Sequence, residues 1–429
     1  MCRPSRLIPA LAALTVLALA GGAAVVQARS PAPLNVRPAR TRRLRPVRPL
    51  RLFGSSLSSV LSGVACPSRK SCWAVGQSES KAGAYLNQLL HFAGKGGWTR
   101  VKVKEPGGSS PDDVNDLYGD TCLSVKDCWA VGDHATPAGA LDNEILHWNG
   151  SGWSQVAAPE PGGSGSGDSN VLYDVACSSP TRCWAIGDYQ RAAYAQLNQV
   201  LRWNGKKWIK VAVPNPAGAS SNSDQNMLLG DFCYSAAECW AVGQASTSGG
   251  STISNEALRW DGKRWTRVPT PRQGDEDYLD GMWCSSAESC WAAGGSSKRG
   301  AYLNQLLRWN GKSFSRSKAP DPGGRSKKSE NFLYEVVCPS GSECWAIGNV
   351  TSNLGKSYRN EILRWDGKKW SPERAPNPVG TRSGDQNILD WVACSSASDC
   401  WAVGNTSTDS GSNYQDEELR WGGKKWSAR

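Results

Sequence analysis

The residues with the most chemistry to offer in this sequence are its 15 cysteines. All but Cys2 fall into pairs with five residues between the partners. Zinc sites favour closer CxxC-type spacings, and the chain has only three histidines, so metal ligation is disfavoured. We predict seven local disulfides, which join Cys66 to Cys72, Cys122 to Cys128, Cys177 to Cys183, Cys233 to Cys239, Cys284 to Cys290, Cys338 to Cys344 and Cys394 to Cys400.

No distinctive catalytic constellation accompanies the cysteines. The sequence contains neither a GxSxG nor an HExxH motif. Asp and Glu recur at positions shared by the repeats rather than as one isolated acid/base pair. These observations favour a non-catalytic protein, and the alternative is a glycoside hydrolase or lyase with a carboxylate pair in a central cleft.

The spacing of the cysteine pairs indicates the elements that must hold them. Successive pairs begin 51 to 56 residues apart, and one pattern surrounds each of them. The third copy shows it as residues 170–177, then Cys-Trp-Ala-Ile-Gly at 183–187, then residues 198–208. Each copy reads as four short strands, and such a sheet must stack on others to bury both faces. We predict an all-β, seven-bladed β-propeller over residues 56–429, with four antiparallel strands and one disulfide inside each blade.

The turn between the third and fourth strands has its own pattern. Asn204-Gly205 and its equivalents stand between two Trp-bearing runs. Asn-Gly suits a type I′ turn, in which both central residues have positive φ. We therefore predict two-residue hairpins at these positions.

The motifs resemble those of a known propeller family. The runs Leu-x-x-Val-x-Cys, Cys-Trp-Ala-Val-Gly and Leu-Arg-Trp-Asn-Gly-Lys-Lys-Trp are similar to repeats of the propellers that include the photosystem II assembly factor and the Asp-box sialidases. The resemblance covers residues 58–426 and implies the propeller fold. This chain has Cys where that family often has Gly, and it lacks the Asp box, so sialidase activity is not implied. A role as an assembly factor for exported proteins follows from the resemblance alone.

Positions that break the repeat are the best candidates for binding, because the framework residues recur in nearly every copy. We expect loops between strands two and three, and between strands four and one, to share one rim and to contact a ligand. Aromatic residues near that rim, and two tryptophans on first strands, add surfaces for stacking. The candidate binding residues are Tyr85, His134, Tyr189, Arg191, Trp283, Arg299, Tyr302, Tyr358, Trp391 and Tyr414.

Two polar patterns run around the whole repeat series. One precedes the first cysteine of the pairs, as in Asp113 and Asn115, and the other opens the third strand, as in Asn87-Gln88. We interpret both as hydrogen-bonding groups that satisfy loop backbone and join blades. We predict no cofactor, with a ring of calcium sites as the alternative, since calcium takes oxygen ligands.

The N-terminal residues differ from the rest in composition. Residues 1–28 have the basic start, apolar run and small final residue of a secretory signal peptide. Residues 29–55 form a basic Arg/Pro-rich linker that could contact an anionic cell envelope. The last copy ends at Arg429 with its fourth strand barely begun, so residues 43–52 are a candidate clasp strand that closes the ring.

The distribution of charge and of apolar residues argues against some classes of partner. The net charge is +11, but ten arginines precede Gly54, which leaves about +1 for the remainder. A nearly neutral body argues against nucleic-acid binding, and no second apolar stretch is long enough to span a membrane. We predict a monomeric protein, secreted or associated with the cell envelope. Its partner would be a glycan, a cell-wall polymer or another protein.

Overall fold

A computed structural model describes residues 58–192, 194–247 and 252–429, all within the compact unit Phe53–Arg429. These residues form 28 strands in seven repeats of four, and the described residues include no helix able to cross a membrane. Repeats one to four comprise β1 (Ser59–Ser68), β2 (Ser71–Glu79), β3 (Tyr85–Phe92), β4 (Trp98–Val101); β5 (Asn115–Ser124), β6 (Asp127–Ala135), β7 (Leu141–Trp148), β8 (Trp153–Gln155); β9 (Ser169–Ser179), β10 (Arg182–Gln190), β11 (Gln196–Trp203), β12 (Trp208–Lys210); β13 (Gln225–Ser235), β14 (Glu238–Thr247), β15 (Thr252–Trp260), β16 (Trp265–Arg267). Repeats five to seven comprise β17 (Glu276–Ser286), β18 (Ser289–Lys298), β19 (Ala301–Trp309), β20 (Phe314–Arg316); β21 (Glu330–Ser340), β22 (Glu343–Thr351), β23 (Arg359–Trp365), β24 (Trp370–Pro372); β25 (Gln386–Ser396), β26 (Asp399–Ser407), β27 (Gln415–Trp421), β28 (Trp426–Ala428).

The first strand of each repeat lies nearest to a common axis. Each first strand contacts the first strands of the repeats before and after it, and β25 of repeat seven contacts β1 of repeat one. The fourth strand of each repeat pairs only with the third. The first strands, called the axial strands below, therefore surround the axis. The second, third and fourth strands, together called the perimeter below, lie outside them, with the fourth strands outermost.

Aromatic side chains join each repeat to the next. Trp345 of repeat six lies against Trp421 and Trp426 of repeat seven, with ring centroids 4.7 and 5.4 Å away. An equivalent arrangement joins five further pairs of neighbouring repeats. In repeat seven, Trp401 packs on Phe92 and Trp98 of repeat one. The recurring tryptophans are therefore core residues between repeats.

All seven predicted cysteine pairs are disulfide-bonded. Their Cα atoms lie 3.9 to 4.1 Å apart, and each bond joins the first two strands of a single repeat. No disulfide among the described residues links one repeat to another. Covalent bonding therefore stiffens each repeat separately, and non-covalent contacts hold the repeats together, including single parallel bridges from β7 to β9 and from β11 to β13.

The second cysteine of every pair is buried. The first lies on the axial strand, and the second lies on the second strand and is at most 2% exposed. The buried second cysteines are Cys72, Cys128, Cys183, Cys239, Cys290, Cys344 and Cys400. Six of them pack in hydrophobic core clusters that include recurring tryptophans: Cys72, Cys183, Cys239, Cys290, Cys344 and Cys400. These cysteines are therefore structural cross-links in the core and not part of a surface that could bind a ligand.

The prediction of two-residue type I′ hairpins was wrong. Trp203 pairs with Trp208, so four residues form the loop, and Gly205 has positive φ while Asn204 does not. The Asn204 side-chain oxygen accepts hydrogen bonds from the backbone N–H groups of Lys206 and Lys207 at 3.0 and 2.9 Å. This side-chain cap stabilises the wider loop and leaves the two tryptophans opposite one another.

The fourth strand of repeat seven is complete. β28 has three residues, the same number as every other fourth strand except the four-residue β4. The premise of a missing outer strand was therefore wrong. The predicted clasp at 43–52, the signal peptide at 1–28 and the linker at 29–55 lie outside the described residues.

Repeat seven meets repeat one without strand pairing between them in the described residues. The backbone N–H of Ser59 donates to the carbonyl of Tyr414 at 2.8 Å, and the Gln88 side chain donates to Asp416 Oδ2 at 2.5 Å. Hydrogen bonds of this kind also join other neighbours, as between Asn87 and Glu144 at 2.7 Å. Side chains therefore contribute to the junction.

Candidate functional site

Every axial strand carries a β-bulge at the same place. In repeat five, Leu279 pairs with Gly294 and Gly281 pairs with Ala293, so Asp280 has no partner on β18. The other six axial strands skip one residue at the equivalent position. A bulge turns the extra side chain away from the regular alternation of the strand. The seven bulge residues, called the bulge ring below, are Ser62, Tyr118, Tyr173, Leu229, Asp280, Tyr334 and Asp390.

The glycine of each Cys-Trp-Ala-Val-Gly motif makes the bulge possible. Gly348 stands opposite Leu333, and a Cβ atom on Gly348 would overlap the carbonyl oxygen of Phe332. The equivalent glycines in the other six repeats face the same overlap. The motif glycine is therefore required by the close approach of the axial strand.

Bulge residues of neighbouring repeats approach one another. The rings of Tyr118 and Tyr173 have centroids 5.6 Å apart. Burial first, and then the carboxyls of Asp390 and Asp280, raise the pKa of Tyr334. All but Tyr118 are half-buried rather than fully buried. The bulge ring therefore presents tyrosine and aspartate side chains around the axis.

Carboxyl groups from distant repeats also meet at the axis. Burial first, and then the carboxyl of Asp174 in repeat three, raise the pKa of Glu335 in repeat six. Repeats four and five lie between these two, so the groups can interact only across the middle. Asp231 of repeat four is adjacent, since its backbone N–H donates to Asp174 Oδ2 at 2.9 Å. We call this set, with Asp120, Asp280 and Asp390, the axial carboxyls.

Burial raises the pKa values of the axial carboxyls. Burial raises the pKa of Asp280 to about 8. Burial raises the pKa of Asp390 to about 7 against a hydrogen bond from Asn405, and that of Asp174 to about 7 against hydrogen bonds from backbone N–H groups. Acidic groups with strongly raised pKa values are a common feature of functional sites.

Sequence reasoning missed the axial carboxyls. The expectation that Asp and Glu recur at positions shared by the repeats does not describe this set. Asp174 and Glu335 stand three residues before the first cysteine, where four other repeats have glycine. Their oxygens lie only 2.9 and 2.8 Å from where a Cβ on Gly119 or Gly281 of the preceding repeat would be. An acidic residue at a position that is glycine in four other repeats was the available signal for these two residues.

Tyrosines predicted to bind a ligand are largely used within the protein. The hydroxyl of Tyr358 donates to Glu330 Oε2 at 2.7 Å, and that of Tyr414 donates to Gln386 Oε1 at 3.1 Å. The ring of Tyr302 packs on Phe332 at 5.3 Å. Four of the predicted tyrosines lie at or next to the first residue of a third strand: Tyr85, Tyr302, Tyr358 and Tyr414.

The other predicted polar residues lie on several repeats rather than in one cluster. Lys210 Nζ lies 4.1 Å from the ring centroid of Tyr189. Arg191 and Arg299 are exposed, and His134 is half-buried, where burial lowers its pKa. His134 and Tyr189 lie near the ends of second strands, and Arg191 and Arg299 lie in the loops that follow second strands.

The two predicted axial-strand tryptophans are packing residues. Trp283 lies 4.4 Å from Phe232 of the preceding repeat and contacts the cores of repeats six and seven. Trp391 follows the bulge of repeat seven and packs on the core that includes Leu61. Both are half-buried, and both contact a neighbouring repeat.

The polar rings make backbone hydrogen bonds. The Asn115 side-chain oxygen accepts from Gly107 N at 2.6 Å, and its nitrogen donates to the carbonyl of Tyr85 in the preceding repeat at 3.1 Å. Asp113 accepts from Ser110 N at 2.7 Å. Within residues 58–192, 194–247 and 252–429, no group of three or more His, Cys, Asp or Glu side chains is arranged to hold a metal ion.

No family model and no curated protein sequence matches the chain. The photosystem II factor and Asp-box resemblance therefore has no family match behind it. A polysaccharide lyase, ulvan lyase, is similar in structure, with a TM-score of 0.50 and 11% identity over 88% of this chain and 98% of that chain. The six-bladed propeller lectin of Aleuria aurantia has a TM-score of 0.44 and 12% identity, over 75% of this chain and 98% of the lectin chain. At such identity, the match to the lyase shows the β-propeller fold alone.

Proposed function

We propose that this protein is an exported seven-bladed β-propeller that binds a carbohydrate at its axis without cleaving it. The bulge ring carries the proposal, because its side chains differ from repeat to repeat while the surrounding framework does not. Tyrosine faces pack on the C–H groups of sugar rings, and carboxylates accept hydrogen bonds from sugar hydroxyls. Both kinds of side chain converge here.

The site also has the form expected of a binding site in a rigid scaffold. Tyr334 stands between Asp280 and Asp390 on neighbouring axial strands, each held in place by its own bulge. A ligand that entered from the rim would meet the loops between strands two and three and between strands four and one first. These loops can add contacts around the axial site.

Export completes the proposal. Seven disulfides fit an oxidising, extracellular compartment. Residues 1–28 would direct secretion, and the basic linker at 29–55 would contact the anionic envelope. We infer that the protein acts as a monomer at the cell surface or beyond it.

The test is a glycan array with the full exported chain, followed by calorimetric titration of the bound sugar. Tyr334→Leu places at the bulge the residue that repeat four has there, so the variant should fold. We expect it to bind roughly 3- to 10-fold more weakly, as loss of an aromatic contact predicts. The control is Tyr234→Ala, at an exposed tyrosine next to the last residue of the axial strand β13. Unchanged affinity in Tyr334→Leu would refute the proposal.

Cleavage of a glycosidic bond is a second candidate. Burial raises the pKa of Asp280 to about 8 and that of Asp390 to about 7, and the two residues flank Tyr334. Carboxyls with pKa values near neutral pH suit acid/base chemistry. Incubation of the bound sugar with the protein would release shorter products if this candidate holds. The Asp280→Asn variant should then release no product, whereas the Tyr234→Ala control should release as much as the wild type.

A further inference from the structure

Both hairpins of every repeat lie at one end of the molecule. The Trp203 side chain, at the end of β11, donates a hydrogen bond to the carbonyl of Pro180, in the connection between β9 and β10, at 3.2 Å. Trp421 makes the same contact with Ala397 at 3.1 Å. Because the repeats surround the axis with one strand order, the connections between strands one and two and between strands three and four form a ring at that end.

This ring of connections, called the basic end below, carries an excess of positive charge. Its 14 connections contain 13 Lys or Arg residues and three acidic residues. All 13 basic side chains are exposed, and none forms an ion pair in the part of the chain that the structure describes. The connections at the other end contain 13 basic residues against 11 acidic ones. Among the connections, unbalanced positive charge is therefore concentrated at one end.

The fold balances the charges that it uses just behind the basic end. Arg259 on β15 forms an ion pair with Glu238 on β14 at 2.7 Å. Arg420 on β27 forms one with Asp399 on β26 at the same distance. The basic residues of the connections have no such partner in the described repeats. Their charge is therefore left for a partner outside the protein.

The loops between strands three and four do not need lysine side chains in order to fold. In repeat three, the loop cap uses only the backbone N–H groups of Lys206 and Lys207. In repeat two, Asn149 caps the equivalent loop through the N–H groups of Ser151 and Gly152, at 3.0 and 3.1 Å. The lysine side chains are therefore free for contacts outside the protein.

We propose that the basic end docks on a membrane surface rich in anionic phospholipid headgroups. A ring of charges around the axis can meet a flat surface with all of its repeats at once, whereas a polymer strand would reach only neighbouring loops. Lysine is a compact, rotatable point charge, so it can approach a phosphate without a fixed geometry. This docking leaves the loops between strands two and three facing away from the membrane, and it does not depend on the proposed carbohydrate binding.

Sedimentation of the full exported chain with lipid vesicles tests the proposal. Vesicles of phosphatidylglycerol and phosphatidylcholine in equal parts should bind the protein at low salt, and vesicles of phosphatidylcholine alone should not. The double variant Lys206→Ser with Lys207→Gly copies the loop of repeat two, so it should fold. We expect it to bind the anionic vesicles roughly 10- to 30-fold more weakly, because each lysine near an anionic surface contributes about fivefold in affinity.

The matched control removes two exposed lysines from the other end. Lys327→Ser with Lys328→Gly gives repeat six the residues that repeat three has there, Ser166 and Gly167, and it should bind like the wild type. Thermal unfolding reports whether each variant is folded. Equal losses in the two variants would assign binding to net charge, and no loss in the first would assign it to the basic linker at 29–55. Either result would overturn the proposal, as would binding to inorganic polyphosphate without binding to the anionic vesicles.

Discussion

The perimeter and the axis of this molecule follow opposite rules. Between repeats, Trp345 and its six counterparts make the same contacts seven times over. At the axis, seven equivalent bulges carry serine, leucine, tyrosine or aspartate. The perimeter contributes stability because the same contacts recur in every repeat. At the axis the bulge side chains differ between repeats, and the surrounding strands keep the same arrangement. Function is therefore best sought where an equivalent position changes its side chain.

The largest effect should come from the perimeter. Trp345 is fully buried against two tryptophans of repeat seven. Trp345→Ala should lower the free energy of unfolding by about 3–5 kcal/mol, because it leaves a large cavity between repeats. Denaturant unfolding followed by tryptophan fluorescence measures the loss. A loss below about 1 kcal/mol would show that the contact is not the main junction.

A smaller loss is expected where perimeter and axis meet. Gly348→Ala would place its Cβ against the carbonyl oxygen of Phe332 and should destabilise the protein by about 1–3 kcal/mol. Gly341→Ala, in the same repeat, meets open space and is the matched control. Thermal unfolding of the two variants compares them. Equal stabilities would mean that the bulge does not require glycine.

The axis itself should reveal its charges through pH. The pKa of Asp280 is raised to about 8 in the folded protein, so the folded state binds this proton more tightly than the unfolded chain, whose Asp pKa is about 4. Its contribution to stability is complete below about pH 4 and is lost as pH rises towards 8. The slope is about 1.4 kcal/mol per pH unit.

Asp280→Asn should remove that slope and make the protein more stable than the wild type at about pH 8. Urea unfolding at a series of pH values measures it. Glu288→Gln, in the same repeat, should keep the wild-type slope. Parallel curves for Asp280→Asn and the wild type would show that Asp280 is ionised in the folded protein.

The sequence predicted the perimeter far better than the axis. Cysteine spacing and the recurring tryptophans identified seven four-stranded repeats because the packing constraint is identical in each. The hairpin prediction failed since Asn204 caps its loop with its side chain. The axial carboxyls were missed because Asp174 and Glu335 come together only across the axis, and no local pattern encodes that proximity.

The short fourth strands have a consequence for life outside the cell. An exposed sheet edge is a template on which foreign strands can add. Here most such edges offer only three residues, and the chain then leaves the ladder, often towards proline. The seven outward edges therefore present few free backbone groups. Strands of other copies find little backbone to pair with, which disfavours the growth of fibres.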